Sequence, residues 1–348
     1  MLKKFFITIV ATVLFITLCE IVIESSGAIP APPPPIAFWG PESDQDNLEG
    51  LASTFRPNYK WLWEPNPGML FCGEKINKDG YRGRIFTQQK TAALRIITFG
   101  DSSTMGFGVR ESESWPRMLE SLLRAEVSKT GGRDVEVLNF GCVGYSAYQG
   151  EKVYFGRALD YHPDIVILAF GAINESFESQ DGIGQVQRLQ IIGSSSSRVR
   201  AFLQRFTLLR YLFLQFQSGR DAVPAPKTPA RNLSVEEYKQ SYHHILNQQK
   251  KDGRRGVLVA APRRRSVEFD SPHVMEYTNA TREAAAANGA PLADVYQFFR
   301  AREPEQERFM QQPLPDPWYL DSVHPSVEGH QQYAAVVAKV LIDNNLIR

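Results

Sequence analysis

The chain has 348 residues, 43% of them hydrophobic and 22% charged, with 39 Lys and Arg against 38 Asp and Glu. This composition suits a globular protein with a substantial core, and a net charge of +1 gives no overall field that would gather nucleic acid. The three cysteines show no CxxC pair and no zinc-like Cys/His spacing, so no metal centre is expected.

Residues 1–28 read as a leader. Lys3 and Lys4 open it, residues 5–19 carry no charge, Glu20 interrupts, and Ile21-Val22-Ile23 continues to Glu24. A basic start before an apolar run is the pattern of an export segment. Ser26-Gly27-Ala28 offers a small-residue cleavage site. Counted to Ile23, the run approaches the length that spans a bilayer. The leader is read as a signal peptide or, the reading leaned towards, an uncleaved membrane anchor, with the lysines inside and the rest of the chain exported, facing outward. Cys19 follows Leu18 where a lipoprotein signal needs a small residue, so it is not read as a lipid-attachment site. Cys72 and Cys142 either pair in an oxidising compartment or stand as two free thiols.

Residues 29–50 form a Pro-rich spacer, stiff and extended at Pro32-Pro33-Pro34-Pro35. Residues 51–92 are rich in Trp, Pro and Gly without a helical period. They predict short strands and turns in a small N-terminal cap.

From Leu94 the pattern alternates. Strands are predicted at 94–99, 135–139, 165–170, 256–261 and 291–295, and helices near 114–127, 148–160, 234–251, 272–288 and 326–345. Such alternation implies a parallel sheet with helices on both faces, spread over residues 93–348. Residues 176–232 interrupt it with a polar run at 194–197, a basic, apolar-rich helix over 199–216 and a Pro-rich return at 222–231. An insertion after a sheet strand suits a lid. Its helix could equally touch a membrane surface or pack on the core.

Four stretches carry chemistry. Ile96-Ile97-Thr98-Phe99 breaks into Gly100-Asp101-Ser102, a buried strand ending in a tight turn. A serine there stands at the carboxyl edge of the sheet, where open α/β folds bind ligands. It is also near the first N–H groups of the next element, which can stabilise an oxyanion. The same letters suit an ordinary turn capped by Asp101 or Ser102. Asn139-Phe140-Gly141-Cys142-Val143-Gly144-Tyr145-Ser146 follows the second strand. Its two glycines suggest close backbone approach or positive φ, with a free N–H on Gly144. Ala172-Ile173-Asn174-Glu175 follows the third strand, and Asp321-Ser322-Val323-His324-Pro325 precedes the last helix. A nucleophilic serine needs a base within hydrogen-bond reach and a group orienting that base. His324 can be the base, and Asp321 is close enough to fold back onto it. The other histidines have weaker cases: His243 and His244 in a helix, His162 and His273 beside prolines, and His330 on the outer face of the last helix.

Gly-Asp-Ser at 100–102, Asn-x-Gly-x-x-Gly-Tyr-Ser at 139–146, Asn174 after a strand and Asp-x-x-His-Pro at 321–325, in this order, resemble the SGNH/GDSL hydrolases. The segment Ile76-Asn77-Lys78-Asp79-Gly80-Tyr81-Arg82-Gly83, with Gly108-Val109 and Trp115, is similar to an exported branch of that family. The resemblance implies a flavodoxin-like three-layer α/β/α sandwich. It implies Ser102 as nucleophile, His324 as base and Asp321 as its orienter, with an oxyanion hole from the N–H groups of Ser102 and Gly144 and the side chain of Asn174. It implies no cofactor. The third block usually reads Gly-x-Asn-Asp, so Ala172 is expected to tighten the pocket and Glu175 to alter local hydrogen bonding.

Arg263-Arg264-Arg265 follows the fourth strand. It is read either as a substrate-binding patch, Arg263 and Arg264 attracting an anionic polysaccharide, or as a solvated basic loop. Asp294 is read as a structural acceptor. The function expected is an exported serine esterase removing acyl groups, acetyl foremost, from an acylated small molecule or an envelope glycan. The alternatives are an O-acyltransferase using the same site on a polysaccharide, and a non-catalytic glycan-binding module, which an intact Ser102, His324, Asp321 and Asn174 disfavour. The expected partners are that substrate and, through the leader, a membrane.

Overall fold

The computed structural model of the chain describes residues 2–26, 54–58, 60–179, 182, 184–193, 230–304 and 314–347. The spacer at 29–50 and the helix expected over 199–216 lie outside the described residues. Helix α1, Leu2–Ser26, covers the leader. Among the described residues no helix is long and apolar enough to cross a membrane, so the spanning anchor expected from the leader is not supported. Glu20 and Glu24 place charge towards one end of α1, and Lys3 and Lys4 towards the other.

Two short hairpins follow. Strands β1 (Phe55–Asn58) and β2 (Leu62–Pro65) pair antiparallel, as do β3 (Leu70–Phe71) and β4 (Glu74–Lys75). They pack on the larger α/β body through aromatic groups. Trp63 Nε1 donates to Val143 O at 2.9 Å, and the Tyr81 ring stacks on Phe140 at 5.1 Å between centroids.

In the body, β5 (Leu94–Gly100) leads to a single turn α2 (Ser102–Met105), α3 (Trp115–Thr130), β6 (Val135–Asn139), α4 (Ala147–Gly156) and β7 (Ile165–Ala169). A second single turn, α5 (Ile173–Ser176), precedes β8 (Glu178–Ser179), α6 (Gln185–Gly193) and β9 (Ala230–Arg231), with β8 and β9 paired at the root of the insertion. The chain then forms α7 (Val235–Lys251), β10 (Arg255–Ala260), α8 (Val274–Asn288), β11 (Leu292–Asp294) and α9 (Val327–Asp343). Helix starts follow local chemistry. Ser234 and Glu237 close a capping box on α7, and the Ser326 side chain accepts from Gly329 N at the start of α9.

Five strands form one parallel sheet in the order β11-β10-β7-β5-β6, which is the flavodoxin-like order. Alternate strand residues face opposite layers. Ile97, Phe99, Leu138, Val166 and Leu168 join a core with α4, α7, α8 and the hairpins. Ile96, Val137, Ile165 and Ile167 join a second core with α3 and α9. This is the three-layer α/β/α sandwich that the motifs imply. His330, expected on the outer face of α9, is instead fully buried and accepts from Trp115 N at 3.2 Å. The reason is that α9 packs against α3, with Tyr333 stacked on Trp115. Burial pulls its pKa down to about 3, so it stays neutral.

The strand order reverses between β5 and β7, the point at which such sheets bind ligands. At that point the chain leaves β5 through Gly100. A Cβ there would sit 2.1 Å from Thr104 Oγ1 and 2.4 Å from Ala169 O, too close for either to remain in place. Overpacking of this kind costs about 1–3 kcal/mol. Gly100→Ala should therefore lower the urea midpoint of unfolding by a corresponding amount, read by circular dichroism.

Candidate active site

The turn after β5 is held from three strands. Asp101 caps α2, its Oδ1 accepting from Ser103 N at 2.9 Å and its Oδ2 from Gly171 N beyond β7 at 3.0 Å. From the end of β6, Asn139 Nδ2 donates to Thr104 O at 2.8 Å, and Asn139 Oδ1 accepts from Gly141 N at 2.9 Å. Burial pushes the Asp101 carboxyl up, and the backbone bonds from Ser103 and Gly171 offset part of that rise. Asp101 is thus a tie between strands, buried at 5% exposure, and leaves the neighbouring Ser102 half-buried at the sheet edge.

Ser102, His324 and Asp321 lie in line. His324 Nε2 is 2.8 Å from Ser102 Oγ, and His324 Nδ1 is 2.6 Å from Asp321 Oδ2. Asp321 Oδ1 accepts from the N–H groups of Val323 and His324, both at 2.7 Å, so the loop folds back on itself as the Asp-x-x-His spacing requires. Burial raises the Asp321 pKa, but the His324 side chain and these two N–H groups outweigh it and hold the carboxyl below its ordinary value. The loop is fixed from outside as well. Ser103 Oγ donates to Val323 O at 3.3 Å and Arg264 N to Ser322 O at 2.9 Å. The ring of Phe107 lies against His324, 4.4 Å between centroids. No sequence pattern signalled Phe107, because the contact joins distant parts of the chain.

In the loop after β6, Gly144 turns with φ +75°, a conformation natural to glycine. Asn174 Nδ2 donates to Tyr145 O at 3.0 Å, which pins the second loop to the third and leaves one amide N–H of Asn174 for another acceptor. Asn232 Nδ2 donates to Asn174 O at 2.8 Å, so the root of the insertion grips the same residue. Ala172, at the N-cap just before α5, has φ +69°, a left-handed conformation where glycine would be unstrained. A hydroxyl hydrogen-bonded to an imidazole that is itself held by a carboxylate can carry out nucleophilic acyl transfer.

A family model described as GDSL-like lipase/acylhydrolase matches residues 98–332, from strand β5 into helix α9. The chain belongs to the GDSL-like lipase/acylhydrolase family. It is therefore an enzyme, a serine hydrolase of ester bonds. No curated protein matches the chain. Among solved structures it is similar to a lipase/acylhydrolase from Enterococcus faecalis, with 19% identity over 72% of this chain and 96% of that one and a TM-score of 0.44. It is also similar to Axe2, an acetylxylan esterase from Geobacillus stearothermophilus, with 15% identity over 72% and 94% and a TM-score of 0.45.

Two expectations about this GDSL hydrolase change. Arg263 and Arg264 do not form an open patch for an anionic substrate. They are 1% and 3% exposed, with the Arg263 guanidinium over the Tyr296 ring and that of Arg264 over Tyr319. Arg265 N donates to Glu303 Oε2 at 2.8 Å. The run is buried beneath the His324 loop and is not a solvated basic loop either. Asp294 accepts from Arg282 Nε at 2.9 Å and from Gln297 N at 2.9 Å. All three cysteines are free thiols, Cys72 exposed and Cys142 buried.

Glu175, beside Asn174, is fully buried. Its Oε1 accepts from Ala147 N at 2.9 Å, and its Oε2 has no partner among the described residues. Burial drives its pKa from the ordinary 4.5 up to about 8, the N–H groups offsetting only part of the rise. Folded Glu175 therefore holds its proton where the unfolded chain has lost it. Between about pH 4.5 and 8 the native state binds more protons, so this residue's contribution makes stability fall as pH rises, by up to a few kcal/mol (order of magnitude). Glu175→Gln is uncharged in both states. Its urea midpoint should fall less than that of the parent from pH 5 to 8. Parallel curves for the two would show that Glu175 is ionised in the folded protein.

Proposed function

We propose that the protein is an exported serine esterase that removes acyl groups, acetyl foremost, from a glycan or other envelope component. The observation that carries the catalytic part is the line from Ser102 Oγ to His324 Nε2 at 2.8 Å and from His324 Nδ1 to Asp321 Oδ2 at 2.6 Å. In this reading Ser102 attacks the ester carbonyl carbon as its proton passes to His324 Nε2. Asp321 holds the imidazole with its proton on Nδ1 and stabilises the imidazolium that forms. The carbonyl oxygen becomes an oxyanion and takes hydrogen bonds from Ser102 N, Gly144 N and the free amide N–H of Asn174. Collapse expels the alcohol, protonated by His324, and leaves an acyl-Ser102. Water, deprotonated by His324, then releases the acid by the reverse sequence.

Export is supported by the leader, in which Lys3 and Lys4 precede an uncharged run over residues 5–19. An exported esterase meets acylated glycans, and this is the ground for the substrate class. The division into a leader at 1–28, a spacer at 29–50, a cap at 51–92 and a hydrolase domain at 93–348 with an insertion at 176–232 belongs to the same proposal.

The test is turnover of aryl acetates and acetylated oligosaccharides. Ser102→Ala should be inactive with its fold intact. Asp321→Asn should lose on the order of 10⁴ in kcat through the wrong imidazole tautomer. Asn174→Ala should lose about 10²–10³ in kcat, with KM within a few-fold, because its donor acts once charge develops. A Ser102→Ala enzyme that still turns over contradicts the mechanism, and an Asn174→Ala enzyme with normal kcat removes that residue from the oxyanion hole. Acyl groups recovered on an added sugar in place of free acid would identify a transferase. In fractionated cells, recovery of the full-length chain from the cytosol would contradict export.

A further inference from the structure

The family match begins at residue 98, yet one side chain from before it reaches the turn that carries Ser102. Arg82 lies in the segment Ile76–Gly83 singled out by the sequence, and it is buried at 3% exposure. Its Nη1 donates to Met105 O at 2.9 Å and to Gly106 O at 2.5 Å. Its Nη2 donates to Val109 O at 2.6 Å and to Glu74 Oε2 at 3.0 Å. Glu74 Oε2 in turn accepts from Glu111 N at 2.6 Å. The backbone of Arg82 also bridges to Asn139, the residue whose side chain holds Thr104 O.

Those carbonyls belong to the loop that leaves α2. Ser102 O accepts from Gly106 N at 2.9 Å and from Phe107 N at 3.0 Å, so the loop from 102 to 107 closes on the serine's own carbonyl. Phe107 then lies against the His324 ring. Gly106 has φ +87° and faces the guanidinium so closely that a Cβ would stand 2.7 Å from Arg82 Nη1. The planar fork of arginine can bind several carbonyls at fixed angles at once, whereas the lysine ammonium is a compact head on a flexible stem.

We propose that Arg82, held by Glu74, is a positioning residue for hydrolysis. By clamping the carbonyls of Met105, Gly106 and Val109 it sets Ser102 and, through Phe107, His324, so that the hairpin region before the matched domain is part of the active site's framework. The proposal rests on the reading of Ser102 and His324 as nucleophile and base. Misplacement of a reacting group by about 1 Å costs about 10²-fold in rate. Loss of the clamp should therefore fall on kcat, with KM close to its original value.

The experiment compares the full-length protein with Arg82→Lys, Arg82→Ala, Glu74→Gln and Ser102→Ala on an aryl acetate, well below each variant's unfolding temperature. Arg82→Lys should lower kcat about 10- to 100-fold with KM changed less than about 3-fold, and Glu74→Gln should lower kcat in the same direction by a smaller factor. Methylguanidinium should restore part of kcat to Arg82→Ala without raising its unfolding temperature. A lower unfolding temperature with kcat unchanged would make Arg82 a staple of the hairpins only and overturn the proposal. If neither Arg82 variant is recovered folded, Glu74→Gln decides, and an unchanged kcat there also overturns it. An inactive Ser102→Ala beside an unaffected Arg82→Lys removes the clamp and leaves the mechanism standing. An active Ser102→Ala removes both.

Discussion

The buried carboxyl of Asp101 is the tie on which the site depends. It accepts one N–H from its own turn and one from Gly171, beyond the neighbouring strand. A buried carboxyl without such bonds would be costly, so the turn after β5 and the loop after β7 are fixed relative to each other. Asn139 adds the end of β6 through Thr104 O. Ser102, Gly144 and Asn174 therefore stand on three strand ends locked together by side-chain bonds to backbone. Only His324 and Asp321 come from elsewhere, on a loop that reaches the sheet edge from the far end of the chain.

That loop is organised largely by itself. Asp321 accepts two N–H groups from residues just after it as well as the imidazole, so its orientation does not wait on substrate. Contacts from Ser103, Arg264 and Phe107 then seat it on the body. The same edge carries a second buried carboxyl, Glu175, which accepts from Ala147 N. Packing two acids close together, in an environment that favours their neutral forms, is a cost to stability. It is localised where the loops after β6 and β7 must meet.

The strands and the principal helices of the α/β body were legible in the sequence, because runs such as 94–99 and 165–170 are apolar throughout and the helices between them carry an apolar face. The site motifs were legible for a related reason, since each lies at a strand end or just before a helix. Long-range packing was not legible. Arg263 and Arg264 look like a surface patch by composition, and only the fold shows Tyr296 and Tyr319 beneath their guanidinium groups. His330 looks exposed on a helical wheel until α9 is seen against α3. Arg82 sat in a segment singled out by its pattern, but its reach to Met105, Gly106 and Val109 depends on how the hairpins dock. Phe107 carried no signal at all. The leader read as a bilayer span from its uncharged run, and the helix it forms does not meet that description among the described residues.

The central claim is that Ser102 is a nucleophile activated by His324. A fluorophosphonate forms a stable phosphonyl ester with such a serine, so peptide mass mapping of the treated protein tests the claim most directly. The account predicts one adduct per chain, on the peptide containing Ser102, and none on a His324→Ala protein treated in the same way. An adduct on another serine, or no adduct on a protein that still hydrolyses aryl acetates, would contradict it.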